Sequence, residues 1–576
     1  VKSILLTTLN AKYIHSSLAL RYLQAYCRDY GDLQLTIKEF TINEAGNDVL
    51  AAIYQQQPQI LCFSCYIWNI RLILELIEDY HKISPQTVIV LGGPEVSYDA
   101  EHLLDSHPAI DYIVRGEGEA VLLELLLALT NQTEISPIKG VTYRQGDRST
   151  SNPDQALIKE LDTIPFPYPA DMQTFRDKIV YYESSRGCPF HCSYCLSSTQ
   201  HGVRFFSLPR VKQDLAFLSR QGIREIKLVD RTFNCHEERA MEIMRWIISL
   251  ETPTCFHFEI EASLLSECML EFLATVPAGK FNLEIGIQST FQPALQAVNR
   301  RSAWSKVRDN IAQLRASRNF HIHLDLIAGL PLETYHDFAR SFNDVYQLQP
   351  DVLQLGFLKL LKGSAIRETA DEHGYHFQTQ PPYQVLNNRY LHFAELIQLQ
   401  QMEALLDKYH NTADMTKSLA YIVSKVYAND AFGFFQELTD YWQVRNLFAQ
   451  GHKKDVYYQY LLEFMRDAHE AHLEIVHELL KYDYLMNNRH RLPACFSSCN
   501  SEDVNQALYD WIKDEQFRSL HLFDKQGQSH REIRKNLNLE YFSYDPETAE
   551  YQTDLLKIIF IYDPVKKKAV RTVKVS

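Results

Sequence analysis

Short apolar runs alternate with amphipathic helical stretches in two long series, and that alternation restricts the chain to parallel sheets with helices packed on them. The first series places strands at Ile4 to Thr8, Leu33 to Phe40, Ile60 to Ser64 and Val88 to Gly93. Helical patterns at Ser17 to Tyr30 and Ile70 to Lys82 lie between them. Residues 1–145 therefore read as a doubly wound domain. Between 146 and 178 the periodicity lapses, and Ile164-Pro165-Phe166-Pro167-Tyr168-Pro169 sets three prolines in alternate positions, which predicts an extended linker.

The second series has strands at Ile179 to Ser184, Glu225 to Asp230, Phe256 to Glu261, Phe281 to Gln288, His321 to Ala328 and Val352 to Leu361. Six strands separated by helices suit a partial (β/α)6 barrel of the TIM type over 179–375. From 376 to 576 the pattern is mainly helical, rich in Leu, Tyr and His, and it ends in a strand-rich segment with Leu539 to Tyr544 and Leu555 to Tyr562. The basic tail with Lys566, Lys567, Lys568, Arg571 and Lys574 reads first as a solvated charge run, with phosphate contact as the alternative.

Composition excludes several classes. Hydrophobic residues make up 46% and charged residues 23%, and no apolar run approaches the roughly 18 residues of a membrane helix. The net charge of −14 argues against a globally basic nucleic-acid coat. The first apolar stretch runs directly into Asn10-Ala11-Lys12 with no basic presequence, so a cytoplasmic location is the expectation. Eleven cysteines, an odd and sparse set, favour reduced thiols or a metal site over a disulfide framework.

Three of those cysteines cluster in Ser185-Arg186-Gly187-Cys188-Pro189-Phe190-His191-Cys192-Ser193-Tyr194-Cys195, directly after the first barrel strand. Three thiolates spaced C-x3-C-x2-C can hold three irons of a four-iron, four-sulfur cluster and leave the fourth iron open for chemistry. A zinc site using His191 is the alternative, but structural zinc wants four ligands in paired arrangements. Cys495 and Cys499 are spaced C-x3-C among Ser and Asn, no neighbouring histidine completes a convincing metal site, and they read as structural.

The ends of the N-terminal strands carry Asn10, Ser64-Cys65-Tyr66, Gly92-Gly93-Pro94-Glu95 and Arg115-Gly116-Glu117-Gly118-Glu119. Ligands of open α/β sheets sit beyond those ends, and small residues let a backbone come close to them. Tight strand-to-helix turns are the structural alternative for each motif taken singly.

The cysteine loop, with an aromatic residue before its last cysteine, resembles that of radical S-adenosylmethionine (SAM) enzymes. The resemblance spans about Val180 to Arg367. It implies that Cys188, Cys192 and Cys195 anchor a 4Fe-4S cluster whose open iron binds SAM, with Tyr194 beside it. Leu228 to Asn234 takes the place of the family's Gly-Gly-Glu-like turn and lacks its glycines, so Asp230, Thr232 and Asn234 stand as substitutes there. Glu284, Gly286 and Gln288 share one face of a strand that resembles the ribose-contacting strand. Arg301 falls where a carboxylate-binding arginine is expected, and Gly329 falls in the adenine-side segment.

Radical enzymes with a preceding Rossmann-like domain are commonly cobalamin-dependent. The order of Asn10, Ser64, Tyr66, Gly92, Gly93, Glu95, Gly116 and Glu117 is similar to theirs. Histidine-ligated cobalamin domains use D-x-H-x-x-G, yet Asp79-Tyr80-His81, Asp371-Glu372-His373 and Asp467-Ala468-His469 all lack the glycine, and His15 has the wrong context. Bound cobalamin is thus expected without a protein histidine ligand.

The resemblance implies a methyltransferase that acts on an unactivated carbon. A deoxyadenosyl radical abstracts hydrogen, methylcobalamin donates its methyl, and a second SAM restores it. A reducing donor such as flavodoxin or ferredoxin would feed the cluster. The alternatives are a radical SAM enzyme without methyl transfer, and an iron-sulfur redox-sensing module that binds RNA or protein. The substrate stays open among a modified tRNA base, a natural product and a peptide, and the C-terminal region resembles a tail domain with no assigned activity.

Overall fold

The central strands of the N-terminal sheet are largely apolar because helices cover both of their faces. Strands β1 (Lys2–Asn10), β2 (Leu33–Thr41), β3 (Ile60–Ser64), β4 (Val88–Gly92) and β5 (Tyr112–Val114) pair in parallel in the order β2-β1-β3-β4-β5. One face carries Leu5, Leu61, Ile89 and Ile113 and packs with Ile73, Ile77 and Tyr80 of the helix Ile70–Ile83. The other carries Ile4, Leu6, Cys62 and Val90 and packs with Leu20, Leu122 and Leu126 of the helices Leu18–Cys27 and Gly118–Asn131.

The sheet continues past residue 145 through the antiparallel strands β6 (Val141–Gln145) and β7 (Arg148–Ser151), turning at Gly146 with φ 65°. The connector that follows is irregular. It is tied to the barrel by the Tyr168 hydroxyl, which donates to the Tyr181 carbonyl.

This computed structural model describes residues 2–30, 33–146, 148–199, 202–489, 492–496, 502–522, 525, 528–565 and 567–575. The chain forms two compact units. Residues 1–338 and 356–393 make the first, and residues 339–355 and 394–576 make the second. Among the described residues no helix is long and apolar enough to cross a membrane.

The barrel strands are β8 (Val180–Tyr182), β11 (Glu225–Leu228), β12 (Cys255–Ile260), β13 (Phe281–Gln288), β14 (His321–Ala328) and β15 (Val352–Phe357), in the order β15-β14-β13-β12-β11-β8. Two further strands, β9 (Ser185–Cys188) and β10 (Gly202–Phe205), form an antiparallel hairpin that carries the first clustered cysteine. Along β12 and β13 fully buried apolar residues (Phe256, Phe258, Leu283, Ile285) alternate with half-buried polar ones (His257, Glu259, Glu284), so the two sets occupy opposite faces.

The second unit is helical from about residue 394, and its last 40 residues form a three-stranded antiparallel sheet of Leu537–Tyr544, Tyr551–Tyr562 and Ala569–Val575. The third of these strands takes in Arg571 and Lys574 of the basic tail, because alternating Val573 and Val575 give it an apolar face on the core. Lys566 lies outside the described residues.

Candidate active site

The cysteine loop is held rigidly at its root. Asp230, at the end of β11, is buried and accepts hydrogen bonds from the Ser184 backbone (3.0 Å), the Ser184 hydroxyl (2.7 Å) and the Ser185 hydroxyl (2.5 Å). Burial pushes the Asp230 carboxyl up from its ordinary pKa, and those three donors pull it back. Gly187 has φ 96° and lies so close to Gly202 that a Cβ would run into the Gly202 carbonyl, so only glycine fits there. Between the two strands of the hairpin the Ser193 backbone is pinned on both sides, donating to the Val298 carbonyl at 3.0 Å and accepting from the Ile366 N–H at 3.0 Å.

The three cysteines stand on this loop with free thiols. Cys188 Sγ lies 3.5 Å from the Thr232 hydroxyl. Cys192 is buried, with Arg300 Nη1 4.0 Å from its sulfur. Burial raises the Cys192 thiol, while the Arg300 guanidinium and the Tyr194 hydroxyl act to lower it. His191 is exposed. Among the described residues no three His, Cys, Asp or Glu side chains are grouped to hold a single metal ion.

The strand ends next to the loop form a second tightly bonded patch. Asn234 spans to Glu261, donating to its carbonyl (3.0 Å) and accepting from its N–H (2.9 Å). The Glu261 carboxylate takes Arg300 Nη2 at 2.7 Å, and the same nitrogen also donates to the Gly286 carbonyl. Of the adjacent arginines it is thus Arg300 that turns inward while Arg301 is exposed. Asn299 at φ 57° and the Arg300 N–H to Leu295 carbonyl bond (2.8 Å) set that turn.

Gln288 sits at φ 72°, in the left-handed region that a non-glycine residue enters at a cost, and β13 shifts register there. Its amide packs where a Gly286 side chain would otherwise be. Glu284 shares that face but is already committed, bonding Lys227 at 2.6 Å and His257 at 2.8 Å. Burial alone would raise its carboxyl, but those two partners hold it at about 2.

Gly329 has φ 97°, its carbonyl accepts from the Tyr375 hydroxyl (2.9 Å) and the Asn388 amide (3.1 Å), and Val385 packs against its α-carbon. Glu261, Tyr375 and Asn388 were not among the expected site residues, although Glu261 closes an alternating strand, and in Asn299-Arg300-Arg301 the expectation fell on Arg301 rather than on Arg300.

The N-terminal strand ends open onto a cavity of about 780 Å³ whose other wall is the cysteine hairpin. Asn10, Ser64, Tyr66, Gly92, Gly93, Gly116 and Glu117 all line it, facing Ser185, Arg186 and Gly187. Tyr66 and Trp68 stack at 4.4 Å with rings 4° from parallel. At Gly93 (φ 111°) a Cβ would meet the Cys65 carbonyl at 2.5 Å. Asn10 donates to Glu39 at 2.7 Å.

Glu95 does not line the cavity. Its buried carboxylate accepts from the Tyr383 hydroxyl at 2.5 Å and pairs with Lys362 at 3.3 Å. His15 does line it, but its Nδ1 is 2.5 Å from the Tyr181 hydroxyl, and burial, then Lys12 and Lys227, lower its pKa. Glu117 belongs to a buried ion knot. Arg186 reaches Glu119 (2.5 Å), Glu183 (2.8 Å) and Glu117 (3.4 Å), and Arg204 pairs with Glu117 at 2.7 Å. The knot fastens the start of the helix Gly118–Asn131 to the hairpin that bears Cys188.

In the second unit Cys495 is half-buried, and Cys499 lies outside the described residues.

Residues 4–126 match the B12 binding domain, residues 182–345 the radical SAM superfamily, and residues 371–560 a family described as protein of unknown function (DUF4080). An uncharacterized methyltransferase of Pyrococcus horikoshii is 26% identical over 61% of this chain and 78% of its own. The cobalamin-dependent radical SAM methyltransferase TokK of Streptomyces tokunonensis is 26% identical over 50% of this chain and 44% of its own. The chain therefore spans less than half the length of TokK.

Two solved structures share the fold. The cobalamin-dependent SAM radical enzyme OxsB, with aqua-cobalamin and SAM bound, has a TM-score of 0.59 at 15% identity, covering 84% of each chain. The radical SAM methyltransferase TsrM from Kitasatospora setae has a TM-score of 0.57 at 17% identity, covering 66% of this chain and 80% of its own. The cofactors of these domains are a 4Fe-4S cluster with SAM in the barrel and cobalamin in the N-terminal sheet. The chain thus carries, in order, a B12 binding domain, a radical SAM domain and a DUF4080 domain.

Proposed function

We propose that this chain is a cobalamin-dependent radical SAM methyltransferase that acts on an unactivated carbon. The supporting observation is that one cavity is walled on one side by the glycine-rich ends of β1, β3, β4 and β5 and on the other by the hairpin that carries Cys188. Donors in the two walls are thus within one chamber, as a reaction shared by two cofactors requires.

The residues present fit the groups. Three free thiols on one pinned loop suit a cluster, and Arg300 beside Cys192 favours the thiolate that iron binds. Gly93 and Gly116, both with positive φ, leave the sheet's edge open for a flat macrocycle, and the stacked Tyr66 and Trp68 offer it an apolar wall.

When bound, the cluster, SAM and cobalamin together supply hydrogen-atom abstraction and methyl delivery. Cys188, Cys192 and Cys195 hold the cluster, with Tyr194 hydrogen-bonded to Cys192. Arg300, Gln288 and Gly329 hold SAM, with Thr232 beside Cys188. Asn10, Ser64, Tyr66, Gly92, Gly93 and Gly116 contact the corrin. Asp230, Asn234 and Glu284 act as positioning residues, since each carboxylate or amide is already bonded within the fold. The same reading divides the chain into an N-terminal domain that runs on to Ser151, a connector to residue 178, a core over 179–375 and a C-terminal region over 376–576.

The enzyme takes electrons from a small reducing protein such as flavodoxin or ferredoxin and works in a reducing compartment such as the cytoplasm, where free thiols persist. The test is production of S-adenosylhomocysteine together with 5'-deoxyadenosine by the reconstituted protein. Deoxyadenosine without any S-adenosylhomocysteine, in the presence of a turned-over substrate, would remove methyl transfer from the account.

A further inference from the structure

Resting on the reading above, we propose that the substrate carries an oxyanion, a carboxylate or a phosphate, and that the guanidinium of Arg231 holds it.

Three consecutive residues at the end of β11 are divided between the two sides of the chain. Asp230 is buried on Ser184 and Ser185, and Thr232 is buried beside Cys188. Arg231 between them is exposed and lines the cavity.

Three nearby arginines already have carboxylate partners. Arg186 has three carboxylates, Arg204 has Glu117, and Arg300 has Glu261. The carboxylates lining the cavity, Glu117, Glu119 and Glu183, are shared by Arg186 and Arg204. Among the described residues Arg231 makes no ion pair, and its charge is felt by Tyr66 across the cavity and by Glu259 in the barrel.

A guanidinium left on the wall of a chamber that fills with cofactors loses water without gaining an anion, which is costly unless the last occupant brings one. Its planar fork matches carboxylate and phosphate oxygens in pairs, which fixes orientation as well as position. Because Thr232 is the next residue and touches Cys188, an anion on Arg231 anchors the substrate beside the cluster and on the corrin side of it.

Two other sources of the same chemistry are the carboxylate of SAM and the phosphodiester of cobalamin, and the experiment separates them. The protein, reconstituted with cluster, hydroxocobalamin and SAM, is treated with phenylglyoxal, and arginine modification is read by peptide mass spectrometry with and without inorganic phosphate or succinate. The proposal expects Arg231 to be modified in the fully loaded protein, modification to slow severalfold with one of the two anions, and equilibrium binding of that anion to be lost in Arg231→Gln. Shielding of Arg231 by SAM alone or by cobalamin alone would assign it to a cofactor and overturn the proposal, as would modification that neither anion slows. Deoxyadenosine formation by the same preparation is measured in parallel. Its absence would undo the radical-enzyme reading, whereas its presence without anion protection would undo only the role of Arg231.

Discussion

Arg186→Met removes the cation at the centre of the ion knot between the B12 binding domain and the cysteine hairpin. Arg186 lies 2.5 Å from Glu119, 2.8 Å from Glu183 and 3.4 Å from Glu117, and all four side chains are at most 13% exposed. Glu117 keeps Arg204, but Glu119 and Glu183 lose their cation, and stripping one partner from a buried pair costs about 3–5 kcal/mol. That is a large share of the 5–15 kcal/mol typical of a domain, and it corresponds to a fall of about 10 °C in melting temperature.

The pH dependence has a definite sign. Burial already raises the Glu183 carboxyl, with Arg186 opposing it, so the variant's Glu183 rises further above its unfolded value. A carboxyl raised on folding costs stability as pH climbs from the unfolded pKa to the folded one, so the deficit should be larger at about pH 8 than at about pH 5.5. Adding Glu183→Gln should recover part of the loss. Thermal melts of the parent, Arg186→Met and the Arg186→Met/Glu183→Gln double variant at both pH values test this. A variant that melts within about 1 °C of the parent at the higher pH would refute the claim that the knot holds the two walls together.

Gly187→Ala should fold less stably by about 1–2 kcal/mol for its positive φ alone, and it should displace Cys188, because the new methyl meets the Gly202 carbonyl. Iron and sulfide per chain after anaerobic reconstitution should drop, and an unchanged iron content would contradict it. Tyr383→Phe removes the 2.5 Å bond to the buried Glu95, worth about 1.5–3 kcal/mol for a charged acceptor. Amide exchange should then rise at Leu360 and Val385, which bond to the Tyr383 and Leu358 carbonyls, and unchanged protection there would count against the latch.

In the second unit burial raises Asp483 to about 6 despite bonds from Ser418 and Lys417. Its folded pKa exceeds the unfolded value near 3.9, so it makes stability fall by about 3 kcal/mol as pH rises through that window. Asp483→Asn should flatten this slope relative to the parent, and equal slopes would refute it.

Much of this was legible because it is periodic. The two strand-helix series, the strand ends that face the cavity and the shared face of Glu284, Gly286 and Gln288 all follow from spacings of two or about 3.6 residues. Pairings between distant segments were not legible. Glu95 and Glu117 look alike in sequence, each following glycines at a strand end, yet one is claimed by Tyr383, 288 residues away, and the other by Arg204, 87 residues away. Arg301 looked like the inward cation, but a left-handed Asn299 rotates the turn so that Arg300 takes that place. Glu284 lies on the face that sequence assigned it, and only the neighbouring strands bring Lys227 and His257 to occupy it.

The most direct test of the account is anaerobic purification and reconstitution with iron, sulfide and hydroxocobalamin. Iron and corrinoid per chain are measured first, and 5'-deoxyadenosine is measured after addition of SAM and dithionite. The account predicts about four irons, about one corrinoid and deoxyadenosine that disappears in Cys192→Ala. A protein that binds no cluster under these conditions, or a Cys192→Ala variant that cleaves SAM at the parent's rate, would contradict it.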